Sequence, residues 1–386
     1  MYAAVLVLAL MDVSGFVSLR GVNATGPQSW LDGGWGRLDA GGDRDELIAS
    51  AHFGADWTPS KYFDVHVAGA ARHDPLGDRA GLVEAYAEGR AALALDELQL
   101  RGGQFFLPTS RENKDDLWSS RYTVSFSALN TWIAEEVRPI GADLEYRHVT
   151  RAGHTVTGAA TAFRGNDTMG ALLAWRGWTI GDRLSTTGEA LPLPLPSSLD
   201  EFFPQQRRDG TQPFGRDLDD RTGYSARVRY SVPERANIQY TWLDTRGDRA
   251  LHRGEYAWET VFHLISLEAG RPDGVTVAAE YMKGTTGMGH VPAFVDAGFY
   301  AGYVLASARR GRNRWTARYE LFATDERDFS IAESNEENGR SWTLTWMFDA
   351  LERMRLAFEF TQFSGARPGT RDPDGRSFTA ETRYRF

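Results

Sequence analysis

The chain has no cysteine in 386 residues, which excludes disulfides and thiolate metal sites and fits an exported protein. Lysine is almost missing. Only Lys61, Lys114 and Lys283 stand among 43 basic residues, and the rest are arginine. The formal net charge of -9 argues against a nucleic-acid partner. There is no long apolar run either. The longest, Ala3 to Met11, is about half of the ~20 residues a spanning helix needs. Residues 1–12 read as the remnant of a secretory signal, with an apolar N-terminal strand as the alternative. Catalytic signatures of the Gly-x-Ser-x-Gly, His-Glu-x-x-His, P-loop and EF-hand kinds are missing, so no catalytic residue and no cofactor is expected. His52 and His66 both face inward on paired strands; a metal site there would need a third ligand such as Asp56 or Asp64, and ordinary lumen histidines with no metal are the expected reading.

Aromatics and glycine are plentiful: 12 Trp, 14 Tyr, 21 Phe and 40 Gly. Their arrangement is clearest in the last ten residues, 377–386. Phe378, Ala380, Tyr384 and Phe386 fall on one face of an extended strand, and Ser377, Thr379, Glu381, Arg383 and Arg385 on the other. This closing strand resembles the C-terminal strand of bacterial outer-membrane barrels, in which a terminal Phe belongs to the assembly signal.

The same period-two pattern recurs. Leu47, Phe53 and Trp57 oppose Ser50, His52 and Asp56. Tyr224, Val228 and Tyr230 oppose Arg227 and Arg229; Trp342, Leu344 and Trp346 oppose Ser341, Thr343 and Thr345. Helical spacing fits none of these segments well. Short turns near 58–61, 151–153, 233–236, 271–274, 310–313 and 349–352 alternate with long polar connections near 23–45, 108–136, 182–221, 283–296, 325–339 and 364–376. Transmembrane barrels have short periplasmic turns and long outside loops. A water-soluble sandwich would bury Arg or Glu from nearly every strand in a dry core, at large cost. The expected fold is therefore all-β: one transmembrane antiparallel up-and-down β-barrel over 13–386. About 17 segments are counted, including one at 170–181. Single-chain barrels have even strand numbers, so 18 is preferred, with a strand hidden in 182–200, and 16 is the alternative.

Function would then reside on the inward face and in loops folded into it. The candidate pore-lining residues are Glu84, Glu88, Asp143 and Glu145 on a relatively acidic wall. Arg314, Arg318, Arg353, Arg355, Arg383 and Arg385 form a relatively basic one, with Arg227 and Arg229 between. Such a transverse field would orient polar solutes. The connection 108–136 is long enough to be functional. Folded inward as a constriction loop, it would bring Arg111, Lys114, Asp115, Asp116 and Arg121 to the narrowest point, the alternative being an outward loop. The 182–221 connection, stiffened by Leu191-Pro-Leu-Pro-Leu-Pro196, reads as a surface loop, with a pore cap as the alternative.

The stretch Arg101-Gly-Gly-Gln-Phe-Phe-Leu-Pro108, with Arg138-Pro-Ile-Gly-Ala-Asp-Leu-Glu-Tyr146 after the long loop, resembles the phosphate-selective type of bacterial porin. The resemblance implies an outer-membrane location, a constriction loop after Pro108 and passive uptake of anions through an Arg- and Lys-lined pore. It covers about 50 residues closely, and the scarcity of lysine departs from it. The expected function is therefore passive diffusion of small polar or anionic solutes. The alternatives are a polysaccharide export barrel resembling the alginate exporter, and a non-conducting receptor or scaffold barrel. Expected partners are outer-membrane lipid and those solutes, with a homotrimer left open.

Overall fold

The computed structural model describes residues 11–193, 201–206, 210–328, 334–368 and 373–386. Sixteen antiparallel strands close into one barrel. They are β1 (Met11–Thr25), β2 (Arg44–Ser60), β3 (Phe63–Asp74), β4 (Gly77–Leu93), β5 (Asp96–Gln104), β6 (Ile140–Val149), β7 (Thr155–Arg164) and β8 (Gly223–Val232). The second half is β9 (Ala236–Asp244), β10 (Glu259–Gly270), β11 (Val275–His290), β12 (Ala293–Arg310), β13 (Asn313–Glu326), β14 (Glu337–Leu351), β15 (Met354–Ala366) and β16 (Gly375–Arg385). β16 pairs with β1 from Phe16↔Arg385 to Thr25↔Arg376, so no sheet edge is left open. In hydrocarbon every backbone polar group needs an internal partner, and closure supplies it.

The alternation places the apolar side chains outside, as read from the sequence. Leu47, Phe53, Val228, Tyr240, Trp315, Trp342, Trp346 and Tyr384 are all exposed on the barrel exterior. So much exposed aliphatic and aromatic surface is unfavourable in water and suits a lipid bilayer.

The strand count corrects the preferred 18. The segment at 170–181 is no wall strand. Ala171–Arg176 is a short helix, α2, and the residues after it run through the lumen. Its Ala-Leu-Leu-Ala-Trp run is apolar at every position, and so short a run reads equally as a buried strand or a buried helical turn. The described part of 182–200, residues 182–193, holds no wall strand; 194–200, including Pro194 to Pro196, lie outside the described residues. A second correction concerns 283–296. β11 and β12 run straight through it and turn at 291–292. The turn at 75–76 is equally tight, so two of the eight connections at the long-loop end are short.

Among the described residues, long stretches of three connections fold into the barrel. Residues 26–43 carry a 3-10 turn at Trp30–Asp32. Residues 105–139 carry a buried helix, α1 (Ala128–Glu136), whose N-cap Ser127 Oγ accepts from Asn130 N at 3.3 Å. Residues 165–222 carry α2. Phe126, Leu129, Trp132 and Ile133 of the second connection pack on inward-facing Phe163, Leu243, Phe262, Met282, Phe299, Phe322 and Phe363 of the wall. This apolar cluster fills the long-loop half of the lumen. Leu191, Leu193 and Phe203 are buried with α2 and Trp258, so residues 182–193 are packed inside rather than lying on the surface, while Phe202, Gln205, Asp220 and Arg221 stay exposed.

Candidate pore interior

The 105–139 loop is held by carboxylates of the wall. Glu84 accepts from Phe106 N at 2.8 Å and Glu280 from Arg111 N at 2.7 Å. Glu359 accepts from Val124 N at 2.6 Å and Ser125 N at 2.9 Å, and Glu320 from Ala128 N at 2.6 Å. Helix starts and irregular loops leave backbone N–H groups without partners, and ionised acceptors satisfy them strongly. Arg318 does the complementary work. It donates to the Ser125 and Phe126 carbonyls at 2.8 and 2.9 Å, to Glu320 at 2.8 Å and to Glu112. Glu112 in turn accepts from Ser127 N at 2.8 Å and Asn130 Nδ2 at 3.2 Å. The loop is thus bolted to the wall through fully buried ionic groups.

The 165–222 connection is joined to both wall and loop. Asp182 meets Arg20 at 2.7 Å and Arg72 at 2.6 Å, and Arg72 also meets Asp39 at 2.8 Å and Asp74 at 2.9 Å. Arg183 bridges Asp74 and Glu189. Burial alone would push the Asp182 carboxyl up, but the two guanidinium groups hold it well below the usual carboxylate range. Burial dominates at Asp39 and pushes it up to about 6 against the pull of Arg72. Gly181 passes so close to Asp39 that a Cβ there would lie 2.1 Å from Oδ1. At the end of α1, Glu136 accepts from Trp132 Nε1 at 2.6 Å, Leu172 N at 3.0 Å and Gly170 N at 3.3 Å, tying α1 to the start of α2. Burial pushes its carboxyl up to about 7, with those donors opposing.

The sequence-derived candidates separate into three groups. Asp143 and Glu145 do not form an isolated acidic wall. Asp143 pairs with Arg227 at 2.7 Å, and Glu145 lies 3.4 Å from Arg229. Between these pairs the intervening β7 presents the small Thr157, Ala159 and Thr161 inward, so the arginines reach over it. Glu88 likewise pairs with Arg101 at 2.8 Å and Arg90 at 2.7 Å. Glu84 and Arg318 are loop anchors. Arg353 is not on the pore wall; it sits exposed in the turn between β14 and β15, one residue before the strand that carries Arg355 inward.

Five of the remaining candidates, Asp115, Arg121, Arg314, Arg355 and Arg385, converge on one chamber. Among the loop residues, Arg121 meets Asp115 at 2.6 Å, and Asp115 lies 3.6 Å from Arg385 of β16. Lys114 pairs with Glu268, Arg111 donates to Gln239 at 2.8 Å, and Asp116 is exposed. Below this loop tip lies a chamber of about 740 Å³. It is lined by six arginines, Arg121, Arg309, Arg312, Arg314, Arg355 and Arg385, against the carboxylates of Asp115, Asp273, Asp349 and Glu352. Arg383 stands beside Arg355 on the next strand and donates to Glu381 at 2.9 Å. Deeper in, between Val124, Asp182 and the β1, β15 and β16 wall, a cavity of about 40 Å³ has room for waters and not for a solute.

No protein-family model and no curated protein sequence matches the chain. Solved structures do match. The outer-membrane channel DcaP of Acinetobacter baumannii is 12% identical, with 97% of each chain covered and a TM-score of 0.58. OmpF of Salmonella typhi is 10% identical over 97% of each chain, with a TM-score of 0.56. An anion-selective porin from Comamonas acidovorans is 10% identical, covering 97% of this chain and 99% of its own, with a TM-score of 0.52. The fold is that of outer-membrane porins.

His52 and His66 are structural in this barrel. His52 stacks on Phe16 at 4.3 Å, and His66 stacks on Tyr86 at 5.0 Å and bonds Asp56 at 2.7 Å. Sequence reasoning missed Glu112, Glu136 and Asp182, the inner ends of the anchoring network. A helix-start Ser127 followed by Leu129, Trp132, Ile133 and Glu136 at helical spacing was the available sign for α1.

Proposed function

We propose that the chain is a porin of the bacterial outer membrane that passes small polar or anionic solutes by passive diffusion. The observation that carries this reading is the charged chamber of about 740 Å³ beneath an inward-folded loop, inside a barrel whose exterior is apolar. Six arginines facing four carboxylates give the chamber a positive excess, which favours anions at modest ionic strength. The resemblance of residues 101–108 and 138–146 to phosphate-selective porins agrees with the loop geometry. Phe105 to Pro108 lead into the lumen. Arg138, however, is spent on structure: it stacks on Phe106 and Phe214 and donates to the Ser185 carbonyl at 2.6 Å. Phosphate specificity therefore finds no support at that residue, and weak anion preference is the reading adopted.

Three connections packed into the lumen favour one second reading, a non-conducting barrel. Polysaccharide export would need a groove continuous over several sugar units, whereas the chamber of about 740 Å³ and the cavity of about 40 Å³ share no lining residue. Planar-bilayer recording of refolded protein separates the readings. A porin gives stable conductance steps and, under a salt gradient, a reversal potential on the anion side. Folded, heat-modifiable protein that inserts without conductance would establish the second reading.

A further inference from the structure

The outward face of β11 to β16 is not a uniform apolar band. Ala306 and Ala317, paired across β12 and β13, leave a hollow of about 520 Å³ beside the larger Trp315, Trp346, Phe360 and Phe378. Ala279 and Gly302 leave a second, of about 430 Å³, among Ile265, Tyr281, Tyr300 and Leu321. Both hollows lie on the barrel exterior, where hydrocarbon is the solvent.

Three outward apolar runs on this face stop at a cation on the long-loop side. On β11, Val275, Val277 and Tyr281 are followed by Lys283. On β14, Arg340 precedes Trp342, Leu344 and Trp346, and on β16 Arg376 precedes Phe378. Between the two arginines β15 presents Gln362, which pairs with Trp342 on one side and Arg376 on the other. All three cations are exposed, and among the described residues they make no hydrogen bond, ion pair or ring contact. They adjoin the hollows directly. Phe378 of the first is the next outward residue after Arg376, Tyr281 of the second is the one before Lys283, and Leu321 of the second is the register partner of Arg340. From strand spacing and rise, Arg340 lies roughly 12 Å from Arg376 and roughly 16 Å from Lys283.

We propose that this face holds a phosphorylated lipid of the outer leaflet, with acyl chains in the two hollows and phosphates at Arg340, Arg376 and Lys283. The long-loop end of such barrels faces outward, which fixes the leaflet. Charge fixes the headgroup, because three cations without anions repel the ammonium of a zwitterionic lipid and attract phosphate. Spacing fixes its size. Arg340 and Arg376 close on one phosphate from either side of Gln362, and Lys283, three strands from Arg340, takes a second. Two separate hollows call for several chains. The occupant is therefore a lipid with two phosphates and more than two acyl chains. It sits on the exterior, so the proposal stands whether or not the lumen conducts.

The test is native mass spectrometry of the folded barrel in detergent, titrated with bisphosphorylated lipid A. Wild type should keep this lipid under conditions that strip phosphatidylglycerol, which has one phosphate and two chains. At about fivefold for each cation near a membrane surface, Lys283→Gln, Arg340→Gln and Arg376→Gln together should weaken retention by roughly a hundredfold. Arg310→Gln with Arg353→Gln removes two exposed cations at the short-turn end and should change it by no more than about twofold. Ala306→Phe with Ala317→Phe fills the first hollow at constant charge and should also weaken it, an effect that general attraction between basic surface and anionic lipid does not produce. Heat-modifiable migration on gels shows that each variant is folded. Millimolar inorganic phosphate should leave the lipid in place. The proposal is overturned if wild type does not prefer lipid A to phosphatidylglycerol, or if the triple variant retains it within about twofold. It is also overturned if the short-turn pair weakens retention as much as the triple variant, if filling the hollow changes nothing, or if inorganic phosphate displaces the lipid.

Discussion

Replacing Arg318 with Met should undock the 105–139 loop while leaving the barrel closed. Arg318 is fully buried and joins the β13 wall to Glu112, to two loop carbonyls and to Glu320 on its own strand. Met keeps much of the volume but removes the charge. Glu112 and Glu320, at 0% and 2% exposure, would then face each other across the gap without a cation. Removing one partner of a buried ion pair costs about 3–5 kcal/mol. Nearly all of that cost falls on the docked state, because an undocked loop lets both carboxylates reach water. At about 1.4 kcal/mol per factor of ten, the docking equilibrium should shift by roughly a thousandfold. The β13 ladder is untouched, since its hydrogen bonds are backbone to backbone. Amide hydrogen exchange reports the shift directly. The N–H groups of Val124, Ser125 and Ala128, held by Glu359 and Glu320, should exchange faster by about that factor in Arg318→Met. Wall-strand amides should not change. Adding Glu112→Gln to Arg318→Met should recover part of the protection, because it removes one stranded charge. Exchange in the single variant within about twofold of wild type would refute the reasoning. The loop would then be held by its apolar packing, with the ionic anchors contributing little.

Three further outcomes follow from particular contacts. The Phe386 backbone exchanges hydrogen bonds with Gly15 at 3.0 and 3.2 Å, and its ring lies 2.5 Å from where a Gly15 Cβ would be. Gly15→Val should therefore impair barrel closure as severely as Phe386→Asp, read as loss of the heat-modifiable form on gels; normal assembly of Gly15→Val would contradict the contact. Glu136 has a carboxyl pKa raised by burial from 4.5 to about 7, so its contribution to the α1–α2 junction is full below about 4.5 and is lost as pH rises through about 7. Exchange of α1 amides should quicken on going from mildly acidic to mildly alkaline buffer, and Glu136→Gln should flatten that dependence. Neutralising Arg355, Arg383 and Arg385 together should move the reversal potential towards cation preference, while Arg353→Gln alone should leave it within error, since Arg353 sits in the turn outside the wall. Equal shifts from the two variants would mean the chamber does not control selectivity.

The barrel could be read from the sequence because lipid and lumen impose opposite demands on successive residues. Trp342, Leu344 and Trp346 face out and Ser341, Thr343 and Thr345 face in, as period two requires. The two errors of architecture come from what period two leaves open. A short continuous apolar run such as Ala171 to Trp175 fits a strand or a buried helical turn equally well, and alternation says nothing about where a wall strand ends. The site was harder. Period two identified Glu84 and Arg318 as inward, but an inward face is wet only where no loop covers it. The Glu84, Glu320 and Glu359 carboxylates are acceptors for loop N–H groups, and Arg318 is a donor to loop carbonyls, because a long connection places its backbone against them.

The sequence nonetheless carried a sign of which part of the lumen is dry. Phe163, Leu243, Phe262, Leu264, Phe299, Phe322 and Phe363 all break the polar inward pattern, and all lie in the half of their strands towards the long loops. Inward aromatics have no reason to face water, so each demands an apolar partner inside the barrel. The loop supplies it with Trp132, which meets Phe262 at 5.7 Å and Phe299 at 5.4 Å. In the other half most inward residues are polar, Ser307, Arg314, Thr316, Arg355 and Arg383 among them, and the apolar ones, Leu305 and Met347, pack with Tyr122 and Val124 of the loop. The boundary between the two sets falls at the loop tip, where Tyr122 lies between the Arg314 guanidinium and the Glu268 carboxylate, to which its hydroxyl donates at 3.2 Å. Reading the inward face as two populations along each strand, apolar above and charged below, thus locates both the plug and the chamber, and the arginines that matter for solutes are those below the line.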